Sequence, residues 1–372
     1  MEQIEVVVCG HLCLDIVSDM EQLPLAALSL PGRLYESGKL SLTTGGSVSN
    51  TGLALHRLGI RTYLMGNVGD DLVGQNVKQI LAARDPALGE SIKVLPGEFS
   101  SATIVLTPHQ VDRVFLYYVG PNGTFGRERV DWAVVEKTQI FHLGYPSLLP
   151  RLYADDGAEL LAILEGAKSS GAVTSVDMTL PDVHRPSGQA DWRHIFARTL
   201  PYTDIFIPSI EEALYCLRRA DFDAWEGKVL EHINAGYLSD LADELIEMGG
   251  VIVGFKLGHL GFYVKTAEAE PFERLQRLHL NVSDWINQTV WSPAFQVDVA
   301  GTTGAGDAAY AGFLAGLVRG MNPADAVRWA CAVGACNVEA ADATSGVRSW
   351  AETQARLDAG WPTRPEKLPG LL

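Results

Sequence analysis

The segment Gly301-Thr302-Thr303-Gly304-Ala305-Gly306-Asp307 holds the residue types from which an anion site with an adjacent base can be built. Gly304, Ala305 and Gly306 are small and leave their backbone N–H groups bare. Tyr310, Phe313, Leu314 and Leu317 then fall at i, i+3, i+4 and i+7, which predicts a helix over 308–320 with one buried face, stopped by Gly320 and Pro323. The bare amides therefore sit at the positive end of a helix dipole, an anion site made without any lysine. Asp307 adjoins that point and has two readings. It caps the helix, worth about 1 kcal/mol, or it takes a proton from an attacking hydroxyl, a rate effect of about 10²–10⁴. Capping does not explain Gly-Ala-Gly, because glycine costs about 1 kcal/mol where no special geometry requires it. The run favours the catalytic reading. The loop is neither GxxxxGK[ST] nor GxGxxG, which removes the main support for a P-loop enzyme or a dinucleotide-dependent dehydrogenase.

Other segments carry weaker chemistry. Gly45 and Gly46 precede a helical stretch with Asn50 one turn in; the glycines could merely make a tight turn, while the amide offers the donor and acceptor that a neutral polyol needs. Asp15 follows the first apolar run, at the carboxyl end of a strand. Glu212, in Pro208-Ser209-Ile210-Glu211-Glu212, reads by itself as a solvated helix-start residue. Lys256-Leu257-Gly258-His259-Leu260-Gly261 joins two β patterns, and a hairpin glycine would explain Gly261 alone. Cys331 lies on a small-residue helix face (330–335) that admits close packing or a flat ring. The nine histidines lack metal spacing and are assigned no chemistry.

These residues must be positioned by the elements between them. Short apolar runs at 6–8, 62–65, 104–106, 140–143, 173–176, 205–207 and 251–253 alternate with helical patterns, which predicts a doubly wound α/β body with a mostly parallel sheet. Ligands in such sheets sit at the carboxyl ends of the strands. Residues 101–106 and 113–119 instead read as a hairpin around the polar turn 108–112, and 17–42 is expected to add strands to the same small sheet. Two stretches, 217–249 and 267–293, look like additions that either cover a site or partner, or pack on their own domain.

Composition narrows the function classes. With 29 Lys and Arg against 45 Asp and Glu the net charge is −16, and no basic run is present to hold a nucleic acid. The 372 residues are 47% hydrophobic and 20% charged, an ordinary globular composition. No apolar run is long enough for a membrane span. The first residues lack a signal-peptide pattern, and five cysteines suit buried thiols in a reducing compartment, so a cytoplasmic location is expected.

Thr302-x-Gly304-Ala305-Gly306-Asp307 resembles the C-terminal signature of the PfkB (ribokinase-like) carbohydrate kinases, and Gly45-Gly46-x-x-x-Asn50 with Gly66-x-Val68-Gly69-x-Asp71-x-x-Gly74 resembles their N-terminal one. The resemblance spans roughly residues 5–350. It implies one ribokinase-like α/β/α domain over 1–372, with a small β-sheet lid from segments 17–42 and 98–122. It implies transfer of the γ-phosphate of MgATP to a monosaccharide hydroxyl, with Asp307 as base and the 304–306 amides as anion hole. Asp15, Gly45, Gly46 and Asn50 would bind the sugar; Lys256, Gly258, Gly261, Thr302 and Cys331 the nucleotide; and Glu212 would hold Mg²⁺ through water. Gly301 stands where the family usually has Asp in its monovalent-cation site, which counts against potassium activation. Ser209 replaces the Asn of the family's Asn-x-x-Glu motif. A nucleoside kinase of the same fold and a non-catalytic sugar-binding regulator are the alternatives. An exposed edge on the lid predicts a homodimer through it.

Overall fold

The computed structural model describes residues 4–20, 23–109 and 113–370. Its strands in chain order are β1 (Val6–Gly10), β2 (Cys13–Asp19), β3 (Leu40–Gly45), β4 (Thr62–Met65), β5 (Asn67–Gly69), β6 (Lys93–Leu95) and β7 (Ala102–Thr107), followed by β8 (Val114–Tyr118), β9 (Ile140–Gly144), β10 (Val173–Asp177), β11 (Ile205–Phe206), β12 (Ile252–Lys256), β13 (Phe262–Thr266) and β14 (Thr289–Ser292). The large sheet has eight strands in the order β14-β13-β12-β11-β10-β9-β1-β4. It is parallel from β12 to β4, and β13 and β14 add an antiparallel edge.

Helices cover both faces, so the central strands are apolar without alternation. Val6 and Val8 enter one core cluster while Val7 and Cys9 enter the other. Phe262 and Val264 divide from Tyr263 in the same way. This is the expected three-layer α/β/α body.

The second sheet is smaller, in the order β3-β2-β7-β8. The hairpin forms with Ala102 opposite Tyr118 and Leu106 opposite Val114; residues 110–112 of its turn lie outside the described residues. Strands from the 17–42 region extend beyond it, since β2 begins at Cys13 and β3 ends at Gly45. Asp15 therefore lies inside a strand of the small sheet, opposite Thr43 and Thr103, and not at the carboxyl end of β1.

Neither supposed addition stands apart from the body. The Ala235–Glu247 helix buries Leu238, Leu241, Ala242 and Leu245 and is part of the crossover from β11 to β12. Its charges occupy the outer face of an ordinary connecting helix. The 267–293 stretch supplies edge strand β14, and Trp285 is fully buried against Phe313. All five cysteines are buried and free. No helix among the described residues is long and apolar enough to cross a membrane.

Candidate active site

The glycine-rich loop ends in a helix that starts earlier than its periodicity suggests, at Ala305, and runs to Val318. It is buried on nearly every side from Ala308 to Leu317, so its apolar face is not confined to one stripe. Gly304 is the N-cap, at φ 70, and a Cβ there would lie 2.4 Å from the Ala343 carbonyl oxygen, so the position accepts only glycine. No side chain caps this helix. The Ala305 amide donates to the Thr302 carbonyl at 3.2 Å, which leaves Gly304 and Gly306 as the amides of the expected three that make no backbone bond of this kind.

Asp307 points away from its helix and into a set of donors. Asn50 Nδ2 donates to Oδ2 and Thr51 Oγ1 to Oδ1, each at 3.1 Å, while the Tyr145 hydroxyl lies 2.7 Å from both oxygens. Asn50 and Thr51 come from the Ser47–Arg57 helix, which packs closely on the Ala305–Val318 helix. Tyr145 follows the carboxyl end of β9 at φ 62 and ψ 52, a left-handed conformation that costs a bulky side chain about 1–3 kcal/mol. Its backbone is pinned by an N–H bond to the Asp177 carbonyl at 3.0 Å. Burial and the neighbouring Asp307 carboxylate push the phenol well above its usual range, so Tyr145 is a donor.

Asn50 thus spends its N–H₂ on Asp307, and its Oδ1 is buried without a partner. Close by, a Cβ on Gly46, at φ 88, would lie 2.4 Å from His11 Nδ1, which is itself buried and unpartnered. His11 Nε2 lies 2.9 Å from the Tyr117 hydroxyl of β8, and Asn122 donates to that hydroxyl at 3.1 Å. Burial pushes the His11 imidazole down to about 3, so it is neutral near pH 7. A Cβ on Gly45 would lie 2.2 Å from Asp15 Oδ2, and the Cys13 thiol donates to Oδ1 at 3.2 Å. Burial raises the Asp15 carboxyl. Asp15, Gly45, Gly46 and Asn50 therefore share one polar region, joined by His11, which carried no assigned chemistry.

The residues just before Asp307 face a cavity of about 330 Å³ lined by Lys256, Gly258, Gly261, Thr302, Ala305, Gly306 and Cys331. All five expected nucleotide residues are on its wall. Sequence reasoning missed Phe295, Val297 and Val299, and also Arg364, which a C-terminal segment brings in. That segment is tied down by Arg364 N–H to Ala294 C=O at 2.8 Å and by Trp361 stacked on Phe295 at 4.5 Å.

Lys256 corrects the notion of an anion site without a lysine. A Cβ on Gly306 would lie 3.5 Å from its Nζ, so the ammonium stands at the helix N-terminus. Nζ also donates to Asp177 Oδ1 at 2.5 Å. Asp177 ends β10 and has no exposed surface, and its Oδ2 lacks a partner. An acid closing an apolar strand was the signal that could have found it.

Glu212 is not a solvated helix-start residue. It forms a capping box with Ser209, its carboxylate accepting from the Ser209 N–H at 2.7 Å, so the serine that replaces the family's Asn has a capping role. Burial raises Glu212 and Asp177, and Lys256 opposes that. Among the described residues no group of three or more His, Cys, Asp or Glu side chains could hold a metal ion. Glu212 and Asp177, whose Oδ2 is buried without a partner, do fit Mg²⁺, which keeps most of its waters and needs only one or two carboxylate ligands.

A buried carboxylate beside a polar region, with an ammonium at a helix N-terminus and a largely apolar cavity lined by the same helix start, has the parts that a phosphotransferase acting on a hydroxyl needs. The chain belongs to the pfkB family of carbohydrate kinases, whose family model matches residues 3–350. It is 26% identical over 335 residues to a 2-dehydro-3-deoxygluconokinase of Bacillus subtilis, covering 88% of this chain and 90% of that one. It is 22% identical over 366 residues to a nucleoside kinase of Methanothermobacter thermautotrophicus, covering 98% and 99%. The Arabidopsis thaliana ribokinase solved with ribose and ATP superposes with a TM-score of 0.70 at 18% identity, covering 95% of this chain and 99% of that one; the fold is therefore ribokinase-like.

Proposed function

We propose that this protein transfers the γ-phosphate of ATP to one hydroxyl of a monosaccharide, with Asp307 as general base. The observation that carries this reading is the Asp307 carboxylate, buried at 4% exposure yet held by side chains instead of capping its helix. Asp15 and the unpartnered Asn50 Oδ1 and His11 Nδ1 orient the sugar through its hydroxyls. The base ring of the nucleotide occupies the apolar cavity beside Cys331. Asp307 takes the proton of the attacking hydroxyl, and the Gly304 and Gly306 amides with Lys256 stabilise charge on the transferring group. Mg²⁺, held through water near Asp177 and Glu212, would neutralise charge on the phosphates.

The small sheet acts as a lid over the sugar, a role supported by the contact of Tyr117 with His11. Closure excludes water from the reacting atoms. Leu40, Leu42, Ile104, Phe115 and Leu116 of that sheet are exposed, and we infer that a second copy covers them. A solution mass near twice the 40.2 kDa of one chain is expected, and a monomeric mass would refute the dimer.

ADP release from MgATP across hexoses, pentoses, sugar acids such as 2-dehydro-3-deoxygluconate, and nucleosides tests the reaction. Sugar-dependent release with stoichiometric sugar phosphate supports it. Saturable sugar binding without turnover would favour a non-catalytic sugar-binding protein, and turnover confined to nucleosides would reassign the acceptor.

A further inference from the structure

The Tyr145 hydroxyl stands equidistant, at 2.7 Å, from both carboxylate oxygens of Asp307. A phenol has one proton to donate, so this placement puts its oxygen on the bisector of the carboxylate. An acceptor hydroxyl has to approach Asp307 to give up its proton. Asn50 and Thr51 hold one oxygen each, and the Tyr145 hydroxyl alone reaches both. The backbone of Tyr145 is held in a left-handed conformation, with its N–H bonded to the Asp177 carbonyl. Its side chain keeps some exposure and packs against the His11 ring, centroids 6.1 Å apart, on the side of the polar region.

We propose that Tyr145 is a positioning residue that occupies the acceptor-hydroxyl place on Asp307 when no sugar is bound, keeps water off the base, and yields when the sugar enters. This rests on the kinase reading. Without such a placeholder a water beside Asp307 would have two carboxylate oxygens as partners, enough to order it. Asp307 could then take its proton while the water oxygen bonds to the γ-phosphorus and the bond to the bridging oxygen breaks, giving ADP and inorganic phosphate. The phenol oxygen is in the right place to deny water that position.

The test uses the full chain with MgATP and compares wild type, Tyr145→Phe, Asp307→Asn and the double variant. Tyr145→Phe keeps the ring and vacates the space of one oxygen. ADP release without sugar is expected to rise about tenfold, and the rise should vanish in the Tyr145→Phe/Asp307→Asn protein. At saturating sugar the Tyr145→Phe enzyme should return to one sugar phosphate per ADP, with a lower KM for the sugar because nothing must be displaced. A damaged site does not gain activity, so a merely structural role cannot produce this pattern. Should Tyr145→Phe unfold, Tyr145→Asn, which tolerates the left-handed conformation but is too short to bring a polar atom to Asp307, is expected to raise the sugar-free rate in the same way, and a wild-type rate in that folded variant would overturn the placeholder. A sugar-free rate at wild-type level in folded Tyr145→Phe, with the wild type active on sugar, would overturn the placeholder alone. Absence of sugar-dependent turnover by the wild type would overturn the kinase reading and this inference with it.

Discussion

The Lys256 ammonium and the Asp177 carboxylate form an ion pair at 2.5 Å with no exposed surface on the acid. Lys256 closes β12 and Asp177 closes β10, so the pair joins the carboxyl ends of two strands of one sheet. The same ammonium faces Gly306 at the helix N-terminus, which links the stability of the sheet to the charge of the site.

Removing the lysine leaves two buried carboxylates, Asp177 and Glu212, without their cation. Lys256→Met is expected to lose about 3–5 kcal/mol of stability, the usual cost of orphaning a buried charge, and to raise the KM for ATP at least tenfold. Urea unfolding and ATP-dependent kinetics on the same preparation check both; a variant as stable as wild type would mean that the pair is not compensating buried charge.

Glycines 45 and 46 should respond differently to alanine. At Gly46 the added Cβ meets backbone, the His11 carbonyl oxygen at 2.5 Å, in a left-handed conformation, so Gly46→Ala should lose more than about 2 kcal/mol. At Gly45 the nearest atoms it meets are those of the Asp15 carboxyl, which can swing aside. Gly45→Ala should therefore stay folded and raise the sugar KM about tenfold or more, as thermal unfolding and steady-state kinetics would register.

Ala335 lines the same cavity as Ala305 and Gly306, the one proposed for the nucleotide. Ala335→Leu adds three carbons to a space of about 330 Å³ and is expected to raise the KM for ATP about tenfold while leaving the sugar KM within twofold. Equal effects on both substrates would place the base ring elsewhere.

His142 is fully buried, beside Ser175 at 2.9 Å, and burial pushes its imidazole down to about 3 from 6.5. The native state holds it neutral, while the unfolded chain protonates it below about pH 6.5. Its contribution is therefore complete above pH 6.5 and is lost as the pH falls towards 3. His142→Asn removes this titration, so the stability advantage of wild type over the variant should shrink by about 1.4 kcal/mol between pH 7.5 and 5.5. Parallel stability profiles for the two proteins would contradict it.

The sheet body was legible because strands buried on both faces are short continuous apolar runs, as in Val6-Val7-Val8 and Ile205-Phe206-Ile207. Asp307 was legible because a glycine run before a helix has few other uses. Tyr145 was not: it is 162 positions from Asp307, and nothing local marks a tyrosine forced into a left-handed turn. His11 was hidden similarly, since its partners Tyr117 and Gly46 arrive through the small sheet and the Ser47–Arg57 helix. The Ala235–Glu247 helix was misjudged because charge on its outer face masked a four-residue buried stripe.

The central claim is that Asp307 is the base. The most direct measurement is kcat for Asp307→Asn against wild type at saturating MgATP and the best acceptor found, with nucleotide and sugar binding measured on both. Asparagine keeps the size and can still accept from Thr51 and Tyr145, so the account predicts binding within about threefold and a loss of kcat of at least 10²-fold. Undiminished turnover in a folded Asp307→Asn protein would contradict it.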